Sequence, residues 1–181
     1  MKTLSSCCKK LVLLLILMCS VSLMNAQKSV AEKLDESSEY FGMALEYLDK
    51  KDHANALIYF KRSFEIEKAL PDDAQMAGYL ELTPSLIADC YTALNQPDMA
   101  ILYAKEAVKY CKKLNGSESH NYVDALYDLA IYYFNSKKYS ESASTLQEAI
   151  ILAKKVYGEN SPKYAKMLKD FTYVKKVLAS E

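Results

Sequence analysis

Four sets of residues recur along this chain with one shared offset. Ala44, Ala88 and Ala130 form the first set, and Tyr47, Tyr91 and Tyr133 the second. Ala56, Ala100 and Ser142 form the third, and Ser63, Ala107 and Ala149 the fourth. Within every set the steps are 44 and then 42 residues. A fixed step of that size, with two helical patterns inside each unit, marks a helical repeat array. One unit cannot bury both of its apolar faces, so neighbours must stack into a solenoid. That excludes a strand-based core and favours binding over catalysis.

Each unit reads as helix, tight turn, helix. In unit one, Tyr40, Met43, Ala44 and Tyr47 share a face of a helix expected over Ser37 to Asp49. Asp52 suits the N-cap of its partner, which carries Ala56, Phe60 and Ser63 to near Ala69. Unit two places Leu86, Ile87, Ala88 and Tyr91 in its first helix, and Pro97 at the first turn of its second. In unit three Leu126, Leu129, Ala130 and Tyr133 face Ser142, Leu146 and Ala149. Apolar spacings of three and four recur throughout, and no alternating strand pattern appears.

The connections repeat as well. Lys112-Lys113-Leu114-Asn115-Gly116 is echoed by Lys154-Lys155-Val156-Tyr157-Gly158. Ser119, Tyr122 and Leu126 return as Ser161, Tyr164 and Leu168. A last helix is therefore expected over 162–179, with Ser161 as N-cap and no partner of its own. It should cap the array, with Leu168 and Phe171 covering Leu146 and Ala149, and its lysines facing water. The units fall at about 37–78, 79–120 and 121–161, after a linker over 27–36.

The run from Ala125 to Ala143, ALYDLAIYYFNSKKYSESA, resembles a tetratricopeptide repeat. The extended connections around Gly116 and Gly158 are similar to the 42-residue variety of kinesin light chains. The resemblance spans about 37 to 179, with Pro84 and Ser142 departing from the usual residues. It implies an all-α, right-handed superhelical solenoid of three antiparallel helix pairs plus a capping helix. In that family the first helix of each pair lines a concave groove. By offset, Phe41, Leu45 and Leu48 line it in unit one, and Ser85, Asp89 and Thr92 in unit two. Asp124, Tyr127, Ile131 and Phe134 line it in unit three, and Lys169 and Tyr173 on the cap. The expected groove is apolar and aromatic, suited to an extended peptide or a helix. The Lys/Asn pattern that clamps a C-terminal carboxylate is missing, since Phe41 and Leu45 take its places.

Catalytic constellations are missing from the sequence. His53 and His120 are the two histidines, read as a turn and a loop residue. No metalloprotease, phosphate-loop, dithiol or nucleophile-elbow motif is present. Glu65, Glu67, Asp72 and Asp73 read as a solvated acidic loop, because the alternating ligand pattern of a calcium loop is missing. Asn115-Gly116-Ser117 matches a glycosylation sequon. The expectation is a protein that is no enzyme and holds no metal or cofactor.

Residues 1–26 are a different kind of chain. Lys2, Lys9 and Lys10 precede the apolar run from Leu11 to Met18, and Ala26 precedes Gln27. This reads as a secretory signal peptide. The rivals are a retained anchor through residues 11–24, shorter than the roughly 20 apolar residues a span needs, and a lipoprotein through Cys19. Cleavage would leave 20 basic against 23 acidic residues, no footprint for nucleic acid or a membrane surface. Cys90 and Cys111 would remain, expected as half-buried free thiols. The functional expectation is an exported, periplasmic or secreted adaptor or assembly factor with a protein or peptide partner. The alternative is a sensory input whose output lies on another chain. If export is right, N-terminal sequencing of the protein from its host will begin near Gln27. Recovery of an intact Met1 from the soluble fraction would exclude it.

Overall fold

The computed structural model describes residues 6–72, 75 and 79–180, with backbone alone over 6–28 apart from Ser20. The side chains of the expected signal segment, and Asp73 of the acidic loop, lie outside the described residues. Seven helices follow one another: α1 (Ser6–Asp49), α2 (His53–Lys68), α3 (Thr83–Ala93), α4 (Pro97–Asn115), α5 (His120–Asn135), α6 (Tyr139–Val156) and α7 (Pro162–Leu178). There is no strand among the described residues. Helix α1 runs through the expected linker without a break at Ser37. Among the described residues, no helix is long and apolar enough to cross a membrane.

Each helix packs on the next in sequence, giving a single row of antiparallel pairs. The small residues sit where helices come closest. Ala44, Ala88, Ala130, Ala56, Ala100, Ser142, Ser63, Ala107 and Ala149 are all buried. Larger residues fill the space around them. Phe60, Phe64, Ile87 and Tyr91 form the core between units one and two; Tyr122, Leu126, Ala153 and Met167 extend it toward α7.

The turn inside each pair has one design, used three times. Lys51, Asn95 and Lys137 adopt left-handed backbone with φ of 59°, 57° and 59°. The following amide donates back to the carbonyl of Tyr47, Tyr91 or Tyr133, at 2.9, 2.8 and 2.9 Å. This is the Schellman closure of a helix C-terminus. The tyrosine carbonyls are therefore fixed points of the turn as well as of the repeat. The expected caps form too. Asp52 accepts from the Asn55 amide at 3.1 Å, and Ser161 from Tyr164 at 3.1 Å. Pro97 opens α4.

Stacking between units uses a different line. Thr83, Ala125 and Met167 recur at 42 residues and are buried; Cys90 and Val174 are buried and Tyr132 half-buried at a second such line. These positions on α3, α5 and α7 face the preceding unit. This corrects the expected cap register: Met167 and Val174 close the core, whereas Leu168 is 39% exposed. Leu168 follows Leu126, which packs on the second helix of its own pair, and α7 has no such helix to pack on.

The α2–α3 connection is anchored by Glu67, which is buried and so does not belong to a solvated loop. Its Oε1 accepts from Ser37 Oγ at 2.7 Å and from the Tyr79 amide at 2.9 Å. Ser37 Oγ also lies 2.8 Å from Ser63 Oγ. Burial raises the Glu67 carboxyl above its ordinary range, and the hydrogen bonds from Tyr79 and Ser37 oppose that. Glu65 and Asp72 remain exposed and pair with Lys68 and Lys113. Both histidines begin helices, His53 opening α2 and His120 opening α5. Cys90 and Cys111 are free and buried, and burial pushes their thiols up to about 11 and about 12.

The cap register makes a clear prediction. Met167→Ala should cost about 2–5 kcal/mol, the range for truncating a buried large side chain. Leu168→Ala should stay within about 0.5 kcal/mol, as surface changes do. Denaturant unfolding of the two variants checks the order; equal losses would contradict the packing of α7.

Candidate functional site

The first helices of successive units, α3, α5 and α7, are bound edge to edge by tyrosine–aspartate hydrogen bonds. Tyr132 on α5 donates to Asp89 on α3 at 2.6 Å, and Tyr127 on α5 donates to Asp170 on α7 at 2.6 Å. Lys166 donates to the same Tyr127 hydroxyl at 2.5 Å. Asp124 accepts from Tyr157 at 2.8 Å and from Lys163 at 2.5 Å. Glu81 accepts from Asn121 at 3.0 Å and also from Asn115. These bonds hold α3 and α5 at a fixed spacing and leave a trough between them.

The trough holds two adjoining cavities. One, of about 280 Å³, is lined by Glu81, Ser85, Asn121, Asp124 and Asp128, with Cys111 in its wall. The other, of about 270 Å³, is lined by Ser85, Asp89, Thr92, Asp128, Ile131 and Tyr132. Ser85 and Asp128 line both, so the two cavities adjoin. A smaller cavity of about 140 Å³ continues from Thr92 and Tyr132 to Pro97 and Ser136.

Asp128 is the electrostatic centre of this trough. It is exposed along the trough and lines both cavities, with Asp124 and Asp89 close by. Desolvation is the larger cause and the two aspartates add to it; together they push the carboxyl up to about 6, against the opposing pull of Lys163 and Lys166. Tyr132 is likewise raised, first by desolvation and then by its bond to Asp89. Tyr127 and Tyr157 are raised mainly by desolvation, and next by their bonds to Asp170 and Asp124.

The groove expected from the sequence is thus present in part. Asp89, Asp124 and Ile131 line the trough, with Ser85 and Thr92. Tyr127 and Phe134 are half-buried beside it; Phe134 packs on Tyr173 with ring centroids 5.7 Å apart. Tyr173 is 57% exposed, and Lys169 is exposed. Unit one differs from the expectation. Phe41 is buried, with Tyr79 stacked on it at 4.0 Å and Phe60 against its edge at 5.5 Å. Leu48 is half-buried against the same core, and Leu45 stays open at the margin. The lining exposes more apolar than polar surface, as expected, but carboxylates gather at its centre. The residues that sequence reasoning missed are Glu81, Asn121 and Asp128. Glu81 precedes α3, outside the mapped helix face. The one mark of Asp128 in the sequence is its repetition as Asp170. Among the described residues, no group of three or more His, Cys, Asp and Glu could hold a metal ion.

Comparison with known proteins gives a consistent result. One family model, described as tetratricopeptide repeat, matches residues 123–163. A second, of the same description, matches residues 38–70 and 85–114. No curated protein matches. Among solved structures, BtubC (BKLC) from P. vanneervenii is similar with a TM-score of 0.61 at 15% identity, covering 84% of this chain and 66% of that one. Putative kinesin-light-chain TPR-like repeats from Podosopora anserina are similar with a TM-score of 0.59 at 16% identity. A point variant of those repeats gives 0.60, also at 16% identity. Each pairing with the Podosopora repeats covers 76% of this chain and 64% of the other. The chain therefore spans about two thirds of the length of these structural relatives, and the likeness is one of fold.

The elevated Asp128 carboxyl predicts a pH signature. A folded-state value above the unfolded one disfavours the folded protein once the pH exceeds both, and has no effect below both. Asp128→Asn should therefore raise the melting temperature at pH 7.5, with the gain vanishing toward pH 4. Thermal melts of both proteins across that range test it. A gain of equal size at pH 4 would assign the effect to something other than the charge.

Proposed function

Because this chain belongs to the tetratricopeptide repeat family, whose repeats generally mediate protein–protein interaction, we propose that it is an exported adaptor or assembly factor. It holds an extended segment of a partner protein in the α3–α5 trough. The observation that carries this reading is that two cavities adjoin along α3 and α5, with Ser85 and Asp128 lining both. They follow one another along the helix pair.

The lining narrows the partner's chemistry. Glu81, Asp89, Asp124 and Asp128 place carboxylates along the trough, and Lys163 offsets Asp124 at one end only. A segment bearing Lys or Arg meets complementary charge there, whereas an acidic segment is repelled. Ile131 in the wall and the exposed ring of Tyr173 nearby offer apolar contact for the segment's aliphatic stems. The membrane-anchored alternative through residues 11–24 leaves this reading of the groove unchanged. Export itself rests on the Lys-rich, apolar start of the chain.

The test is titration of an extended Lys/Arg-containing peptide, followed by fluorescence anisotropy at two salt concentrations. Asp89→Asn and Asp128→Asn should each weaken binding by about 0.5–1 kcal/mol, the worth of an accessible charge pair. Raising the salt should weaken it further. Tyr173→Ala should lose affinity without a change in circular dichroism. Binding that is insensitive to all three variants would place the partner elsewhere on the solenoid.

A further inference from the structure

The two end helices of the solenoid leave open the faces by which all the others pack. On α3, α5 and α7 the preceding unit is met by Thr83, Ala125 and Met167, and by Cys90, Tyr132 and Val174. The matching positions on α1, by the 44-residue step, are Glu39 and Glu46. Both are exposed, with exposed Gly42 between them. Asp35 and Asp49 share this stripe, since at 100° per residue all five fall within about 80° of Glu39. Among the described residues, Asp35, Glu39, Glu46 and Asp49 make no ion pair. A Cβ added at Gly42 would meet nothing within 4 Å. The middle of this stripe is therefore a helix surface with no side chain, open to close approach.

At the other end, α7 exposes the face that α5 turns to α6. Where α5 has Leu126, Ala130 and Tyr133, α7 has exposed Leu168, Thr172 and Lys175, with Lys176 beside them. Among the described residues Lys175 and Lys176 make no salt bridge, while Lys163 is paired with Asp124 and Lys166 is bonded to Tyr127. One end thus carries a shallow, mainly acidic stripe around Gly42, with exposed Lys50 at its C-terminal edge. The other carries a basic stripe around Leu168 and Thr172.

We propose that copies of this chain associate head to tail, with α7 of one copy seated on the Glu39–Gly42–Glu46 face of α1 in the next. In that arrangement α1 of the next copy takes, against α7, the place that α6 holds against α5, and the row of packed helices continues from copy to copy. Leu168 and Thr172 pack over Gly42, and Lys175 and Lys176 pair with the flanking carboxylates. The occupant is a second copy because the two open faces are complementary in charge and are both built for helix stacking. The contact joins two different surfaces, so it extends rather than closing into a dimer.

Sedimentation of the full chain tests this, in a density-matched nonionic detergent that shields residues 11–24. At about 20 mM salt the weight-average mass should rise with concentration to at least about twice the monomer. At about 0.5 M salt, where the Debye length is only a few ångströms, it should fall back. Glu39→Lys/Glu46→Lys and Lys175→Glu/Lys176→Glu should each be monomeric, because each sets like charges across its own contact. Mixing the two variants restores opposite charges and should restore association. That recovery also shows that neither variant has simply misfolded. Three results would overturn the proposal: a monomer at every concentration, association unaffected by either reversal, or a mixture that stays monomeric.

Discussion

Close approach of helix backbones at small residues is the constraint on which the rest of this structure depends. Ala44, Ala88 and Ala130 are buried, and so are their partners Ala56, Ala100 and Ser142. In unit three the contact is close enough for Ser142 Oγ to donate to the Ala130 carbonyl at 2.8 Å. A larger side chain at any of these positions would push a pair apart and move every later helix with it, because each unit is positioned only by its neighbour. The tyrosine that follows each alanine by three residues supplies the carbonyl that closes the turn. Spacing within the pair and direction out of it are thus set within one helical turn of sequence.

The site inherits its geometry from that stacking. Asp89 and Tyr132 lie on different units, as do Tyr127 and Asp170, yet both bonds are 2.6 Å long. Each bond ties one unit to the next, at a different position of the repeat. They also leave carboxylates in the trough at close quarters, which adds to the desolvation that makes Asp128 hold its proton to unusually high pH.

Much of the fold was legible because it depends on local chemistry: the repeat step, the Asp52 and Ser161 caps and the proline at α4 all follow from short stretches of sequence. The site was legible only in part, and the reason is physical. Phe41 occupies a groove position by offset, but Tyr79, which covers it, comes from the connection between units one and two. Leu168 matches Leu126 in sequence, yet its burial would require a second helix that α7 lacks. Asp128 looks like any helix-face carboxylate until stacking brings Asp89 of the preceding unit toward it across the trough. Glu67 looks like a loop acid until Ser37, thirty residues earlier, is placed against it.

The stacking of Tyr79 on Phe41 has a consequence for how long a complex can last. It buries Phe41, and the trough cavities are lined from α3, α5 and the residues before them rather than from α1. A chain laid there in extended form, at about 3.3 Å per residue, would find room for only a handful of residues. Contacts of that extent belong to the small, transient class of interface, below about 1,200 Å². Such a segment would leave quickly, and a partner that must stay would need several copies of the groove in a row.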